Sequence, residues 1–211
     1  MKLYVIKISP TCRKVMTVAH HLGLDIDFEV LQPFSGATST LEFLALNPHG
    51  KVPVLKQNDF ILAESCAIMR YLASQVPGTT LVPADPQEVA IMDSWMYWES
   101  AHFTQALAGY FLQSFVFPHY NIAEPDEEAM ASALERIYSL AGALETRLDG
   151  RDFIMGDQVT LADYAIGGIS EHQRRGNQPW DGFPRIAEYF DRLETLPAMK
   201  ASFPPFDEDK R

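Results

Sequence analysis

The apolar run Val52-Pro53-Val54-Leu55, entered from Asn47-Pro48-His49-Gly50-Lys51, carries a proline where a buried strand is otherwise written. Proline has no N–H to give to a ladder, so it is tolerated at a sheet edge or as a cis bond in a tight turn beside something functional. A cis Val52–Pro53 bond would turn the backbone of Val52 outward, its N–H and C=O free to pair with an extended peptide as an added strand does. The rest of the chain must then build the sheet behind that edge and supply the peptide's other contacts.

The preceding residues supply such a sheet. Leu3 to Ile8 is a short apolar run ending at Ser-Pro and reads as a buried strand. Ser9 as N-cap, Pro10 at the first helical position, the stripe Val15, Val18, Ala19 and Leu22, and the stop at Gly23 describe a helix. Asp27 to Leu31 reads as a second strand with Phe28 and Val30 inward, and Ser39-x-x-Glu42 as a capping box opening a helix that ends at Asn47-Pro48. Val52 to Lys56 and Phe60 to Leu62 form a hairpin, and a third helix runs from about Ser65 to Gln75. The order βαβαββα is that of a thioredoxin-like α+β domain on one mixed sheet, here over residues 1–77. Pro77 to Pro86 then reads as a linker, residues 78–86.

Residues 87–211 show helical periodicity and no strand pattern, so an all-α helical bundle is expected. One long helix should begin near Pro86 and run towards Phe115, with Met92, Met96, Phe103, Leu107 and Tyr110 on one face and a bend near Gly109. Glu124-Pro125-Asp126 opens a second, carrying Met130, Leu134, Ile137, Leu140 and Leu144, and Asp149-Gly150 ends it. Thr160-x-x-Asp163 is a capping box, and Pro184 to about Thr195 is a helix with Ile186, Phe190 and Leu193 inward. Asp207 to Arg211 reads as a solvated tail.

Charge narrows the partners. The net charge of −11 argues against nucleic acid, whose phosphates need a basic surface. Residues 1–77 carry seven Lys/Arg against six Asp/Glu, and the remainder ten against twenty-two, so a small anion is repelled least by the first third. Two cysteines, Cys12 and Cys66, make neither a disulfide framework nor a zinc quartet, which suits a reducing, cytoplasmic setting. No apolar run reads as a signal core or a membrane span, and no His/Cys/carboxylate spacing suggests a metal site.

Ser9-Pro10-Thr11-Cys12 has the spacing of a C-x-x-C motif at a strand-to-helix junction, with serine in the first position. A group there meets free N–H groups and the positive end of the helix dipole, which favour a thiolate. Ser9 has no evident base to make it a nucleophile, so its hydroxyl is assigned to donating a hydrogen bond towards a bound thiolate; a simple N-cap is the plainer alternative. A charge-assisted bond of about 1.5 to 3 kcal/mol lowers a thiol pKa by roughly one to two units. Cys12 is the rival nucleophile and Thr11 a rival hydroxyl, although Cys12 also reads as a small buried hydrophobe. Glu64-Ser65 lies where a loop becomes a helix: Ser65 reads as an N-cap, and together the two can clamp a zwitterion, a carboxylate for its ammonium and a hydroxyl with helix N–H groups for its carboxylate. Lys51 can hold a second carboxylate. Phe103, Tyr110 and Phe111 read as core or as the lining of an apolar pocket.

Together, Ser9 before Cys12-Arg13, the loop Asn47 to Leu55 with Pro53, Glu64-Ser65 and the Thr160-x-x-Asp163 cap resemble the cytosolic glutathione transferases over nearly the whole chain. The likeness is nearest to serine-type, theta-like bacterial members. It implies a detoxifying homodimeric enzyme in which the thiolate of glutathione, the co-substrate, attacks a small hydrophobic electrophile held between the domains. It also implies that Val52 and cis-Pro53 pair with the cysteinyl backbone, Glu64 and Ser65 meet the γ-glutamyl end, Lys51 lies near the glycyl end and Ser9 activates the thiol. Gly36-Ala37-Thr38-Ser39 departs from the family, since theta-like members often place a histidine and a lysine there. Two alternatives differ in chemistry: a thiol transferase or glutathione lyase working through Cys12, and a non-enzymatic partner-binding module on the same fold.

Overall fold

The structure, a computed structural model, describes residues 1–202 apart from the side chain of Glu171. The tail expected over Asp207 to Arg211 lies outside the described residues. Two compact units divide the chain, Met1–Thr79 with the described residues from Leu196 onward, and Thr80–Thr195.

In the first unit, β1 (Lys2–Val5) is a central strand: it runs parallel to β2 (Asp27–Val30) and antiparallel to β3 (Val54–Gln57). β3 continues antiparallel into β4 (Phe60–Leu62), giving the mixed order β2-β1-β3-β4. Leu3 and Val5 alternate into the buried face of β1, whereas the adjacent Val54 and Leu55 are both fully buried, so β3 is covered on both faces at its start. The helices are α1 (Pro10–His21), α2 (Leu41–Leu46) and α3 (Ser65–Ser74), with α1 packed against α3. The βαβαββα order of the sequence is the order observed.

Local departures have local causes. β1 stops at Val5 because the Ile6 N–H donates to Cys12 Sγ at 3.4 Å and the Ile6 carbonyl accepts from Ser9 N at 2.9 Å, turning the chain into α1. Val30, expected inward, is 40 % exposed on the outer strand β2. Helix α2 is capped by Thr40, whose hydroxyl accepts from Phe43 N at 3.3 Å, because Ala37–Ser39 forms a 3₁₀ turn that uses up Ser39.

The second unit is helical. Asp85 caps α4 (Pro86–Trp98), accepting from Gln87 N at 2.6 Å with Pro86 in the first turn. The expected long helix is continuous but changes pitch twice: π-helical turns at Glu99–Phe103 and Leu112–Val116 flank α5 (Thr104–Phe111), and α6 (Phe117–His119) closes the run. Met92, Met96, Phe103, Leu107 and Tyr110 are all buried, so the face read from periodicity is the face that packs. Asp126 caps α7 (Glu127–Arg147), which packs against α5 and buries Ile137, Ala141 and Leu144. Then follow α8 (Leu161–Gly167), α9 (Ser170–Arg175) and α10 (Pro184–Thr195). The capping box opens α8: Asp163 Oδ2 accepts from Thr160 N and Oγ1, and Oδ1 from Ile154 N and Tyr189 Oη. The last helix, α11 (Pro197–Ala201), belongs with the first unit and packs on α1. No helix among the described residues is long and apolar enough to cross a membrane.

Candidate functional site

The Val52–Pro53 peptide bond is cis. Its approach is pinned from below by Asn47, a buried side chain whose Nδ2 donates to the Lys51 carbonyl at 2.8 Å while its Oδ1 accepts from His49 N at 3.1 Å. Gly50, at φ +61, completes the turn; a Cβ there would stand 3.1 Å from the Thr38 carbonyl oxygen, so only glycine fits without displacement. The Lys51 side chain is exposed and Val52 half-buried.

Of the two Val52 backbone groups expected to be free, only one is. Among the described residues the N–H has no partner, but the carbonyl accepts from Thr11 Oγ1 at 3.3 Å. Thr11 in turn lies 2.8 Å from Ser9 Oγ. Ser9 takes the N-cap position of α1 with extended backbone (φ −77, ψ 123), yet its side chain caps nothing and engages Thr11 instead. A row of groups, Ser9, Thr11 and Val52, therefore joins the helix start to the cis-proline loop.

Cys12, the rival nucleophile, is buried. It has no exposed surface, and desolvation pushes its thiol up to about 12, against smaller opposing pulls from the Ile6 N–H and the Ser9 hydroxyl. At neutral pH it is a protonated, inaccessible thiol. The other cysteine, Cys66, sits half-buried in the first turn of α3 with Lys14 Nζ donating to its sulfur at 3.6 Å.

At the start of α3 the positions are shifted by one from the sequence reading. Glu64, not Ser65, is the N-cap residue, and Ser65 is the first helical residue, 6 % exposed. Glu64 has φ 68 and ψ 111, outside the ordinary left-handed well, a conformation that costs a non-glycine residue on the order of 1–3 kcal/mol. Such strain persists only where the surroundings over-determine it, and the exposed Glu64 stands at the positive end of α3.

Phe103, Tyr110 and Phe111 are 0, 8 and 6 % exposed. Phe103 stacks on Trp98 at 4.8 Å between ring centres, and Phe111 on Phe115 at 5.2 Å. These ring contacts lie within the second unit, in keeping with the core side of their reading. No group of three or more His, Cys, Asp or Glu side chains gathers as a metal site among the described residues. Three features escaped the sequence reading: the Thr11 bridge, the Asn47 pin and the Glu64 backbone. Only Asn47-Pro48 carries a sequence signal for its role, that of an Asx turn.

Two family models match the chain, the glutathione S-transferase N-terminal domain over residues 3–80 and the glutathione S-transferase C-terminal domain over residues 103–197. Glutathione S-transferase D7 of Drosophila melanogaster is 33 % identical over 168 residues, 79 % of this chain and 71 % of that one. Among solved structures, glutathione transferase F7 from Populus trichocarpa superposes with a TM-score of 0.87 at 25 % identity, covering 100 % of this chain and 99 % of that one. A theta class glutathione S-transferase from Xanthomonas axonopodis pv. citri with glutathione bound gives 0.84 at 26 % identity, covering 97 % of each chain. With a thioredoxin-like sheet, a helical second unit and both halves matched, this chain belongs to the glutathione S-transferase family.

Proposed function

We propose that this glutathione transferase is of the serine type, the Ser9 hydroxyl stabilising the glutathione thiolate for attack on a small hydrophobic electrophile. In this reading the cysteinyl backbone of glutathione pairs with Val52 beside cis-Pro53. Its γ-glutamyl ammonium meets the Glu64 carboxylate, its γ-glutamyl carboxylate takes the Ser65 hydroxyl and the first N–H groups of α3, and Lys51 faces the glycyl carboxylate. The carrying observation is the row of contacts from Ser9 Oγ through Thr11 to the Val52 carbonyl, which puts the thiolate donor one hydroxyl away from the backbone edge that would hold the cysteinyl residue. The burial of Cys12 speaks against the thiol-transferase alternative.

Ser9→Ala tests the assignment. Loss of one charge-assisted hydrogen bond of about 1.5–3 kcal/mol should lower kcat/KM with an activated aryl halide by roughly ten- to a hundredfold at neutral pH. Cys12→Ala, assayed alongside, should keep its activity per folded molecule. The reverse pattern, activity lost with Cys12 and kept without Ser9, would overturn the proposal.

A further inference from the structure

We infer that Thr11 is a positioning residue that couples docking of the glutathione backbone to activation of its thiol, an inference that rests on the reading of Ser9 and Val52 given above. A hydroxyl owns one hydrogen, and a carbonyl only accepts. Thr11 Oγ1 reaches the Val52 carbonyl, so in that contact its hydrogen points at Val52. The 2.8 Å bond between Ser9 and Thr11 must then be donated by Ser9. The Ser9 hydrogen is turned towards Thr11 in this arrangement, away from any ligand sulfur.

The two bonds are unequal. Ser9 to Thr11 at 2.8 Å is of ordinary length for a pair of hydroxyls, whereas Thr11 to Val52 at 3.3 Å is beyond the common range for O–H···O. An extended ligand pairing with Val52 brings an amide N–H to the same carbonyl oxygen, a donor that competes with the long Thr11 contact. Released, the Thr11 hydrogen turns to Ser9, which becomes its acceptor, and the Ser9 hydrogen is free to point at the thiolate. No proton changes owner; two hydroxyls rotate. A Ser9 hydroxyl that accepts from Thr11 is also the better donor, since bonds in a chain polarise one another. The titratable group beside Ser9 in α1 is Cys12, which burial keeps as a thiol and whose sulfur is a further neighbour of the Ser9 hydroxyl. Recognition of the peptide backbone at Val52 thereby switches the donor that the sulfur needs, and a ligand lacking that N–H leaves the switch unthrown.

The measurement is the pH midpoint for ionisation of bound glutathione, read from ultraviolet thiolate absorbance on the full-length protein. Removing the hydroxyl in Thr11→Val should raise the midpoint by roughly half to one pH unit, about three- to tenfold less thiolate below it. Thr11→Ser, which keeps a hydroxyl, should restore the wild-type midpoint, and Thr11→Ala should repeat the valine result should the valine variant fold poorly. S-methylglutathione has no thiol to ionise, and its Kd should change less than about twofold, within the scatter of a lost neutral contact. Thr11→Val added to Ser9→Ala should shift the midpoint no further. A midpoint unmoved by Thr11→Val and Thr11→Ala, with Ser9→Ala raising it, would overturn the coupling and leave the Ser9 reading standing. A midpoint unmoved by Ser9→Ala would remove the underlying reading itself. An undiminished Thr11→Val shift in the Ser9→Ala background, or weakened S-methylglutathione binding without a midpoint shift, would make Thr11 an independent donor or a docking group and overturn the relay.

Discussion

Cys12 is held as a thiol by its place under α1, and this makes it a source of alkaline instability. An unfolded cysteine ionises near 8.5, whereas the folded one is pushed up to about 12 by burial. The unfolded chain therefore loses its proton first. Stability that is fully present below the unfolded pKa is lost as pH rises from there towards the folded value, at up to about 1.4 kcal/mol per pH unit. Urea midpoints measured as a function of pH should fall less steeply above that onset in Cys12→Ala than in the parent. The slope is the readout, because the alanine also leaves a cavity that lowers stability at every pH. Parallel slopes would show that Cys12 ionises normally in the native state. The sequence made Ser9 and Cys12 both eligible, since both lie at the start of a helix; what separates them is burial, which depends on a sheet that the motif does not contain. The hydroxyl bridge was hidden for the same reason, because Thr11 finds its acceptor 41 residues away at Val52.

At the scale of elements, the Asp163 cap answers its sequence signal with specific hydrogen bonds. Four donors converge on one buried carboxylate: Ile154 N at 2.7 Å, Thr160 N at 2.7 Å, Thr160 Oγ1 at 2.8 Å and Tyr189 Oη at 3.0 Å. The capping box was legible in Thr160-x-x-Asp163, but a box accounts only for groups at the helix start. The donations from Ile154 and Tyr189 tie α8 to the loop before it and to α10, and no local pattern announces them. Asp163→Ala leaves these donors in a site with no exposed surface, and each buried orphan costs about 1–3 kcal/mol. The expected loss is roughly 3–5 kcal/mol, allowing for partial relaxation, against the roughly 1 kcal/mol of an ordinary exposed cap. A urea midpoint lowered only by the smaller amount would show that the site rehydrates and that the cap acts alone. In α10 the apolar face was read correctly, whereas in α7 Ile137 and Leu144 are buried as read but Met130, Leu134 and Leu140 are only half-buried. The π-turns of the second unit were not legible, because a change of pitch leaves the buried positions apolar and only alters which carbonyl each N–H reaches.

Across the whole molecule, the chain order and the division into units do not coincide. The first unit is left at Thr79 and rejoined at Leu196, and α11 docks on α1 from the far end of the sequence. Five residues are too few to display a helical period, so the destination of α11 could not be read in advance. Its anchorage is buried and polar as well as apolar. Arg13 Nη2 donates to the Met199 carbonyl at 3.5 Å, Thr17 Oγ1 and Ser202 Oγ lie 2.8 Å apart, and Met199 is fully buried. Thr17 also reaches the Arg13 carbonyl at 2.9 Å and Ser202 the Met199 carbonyl at 2.8 Å. Each hydroxyl has one hydrogen, so the pair runs in one of two directions, from Thr17 through Ser202 to Met199 or from Ser202 through Thr17 to Arg13, and in both the bond between them is kept. That bond links residues 185 positions apart and ties α11 to α1 within the first unit. A double-mutant cycle of Thr17→Val and Ser202→Ala isolates it: each single change should lower the urea midpoint, and the coupling should be about 1 kcal/mol. Coupling within about 0.3 kcal/mol of zero would mean that the two hydroxyls act separately and that α11 is held by Met199 and its apolar surroundings alone. Met199→Ala then sets the scale of that apolar part, with an expected loss of roughly 2–5 kcal/mol.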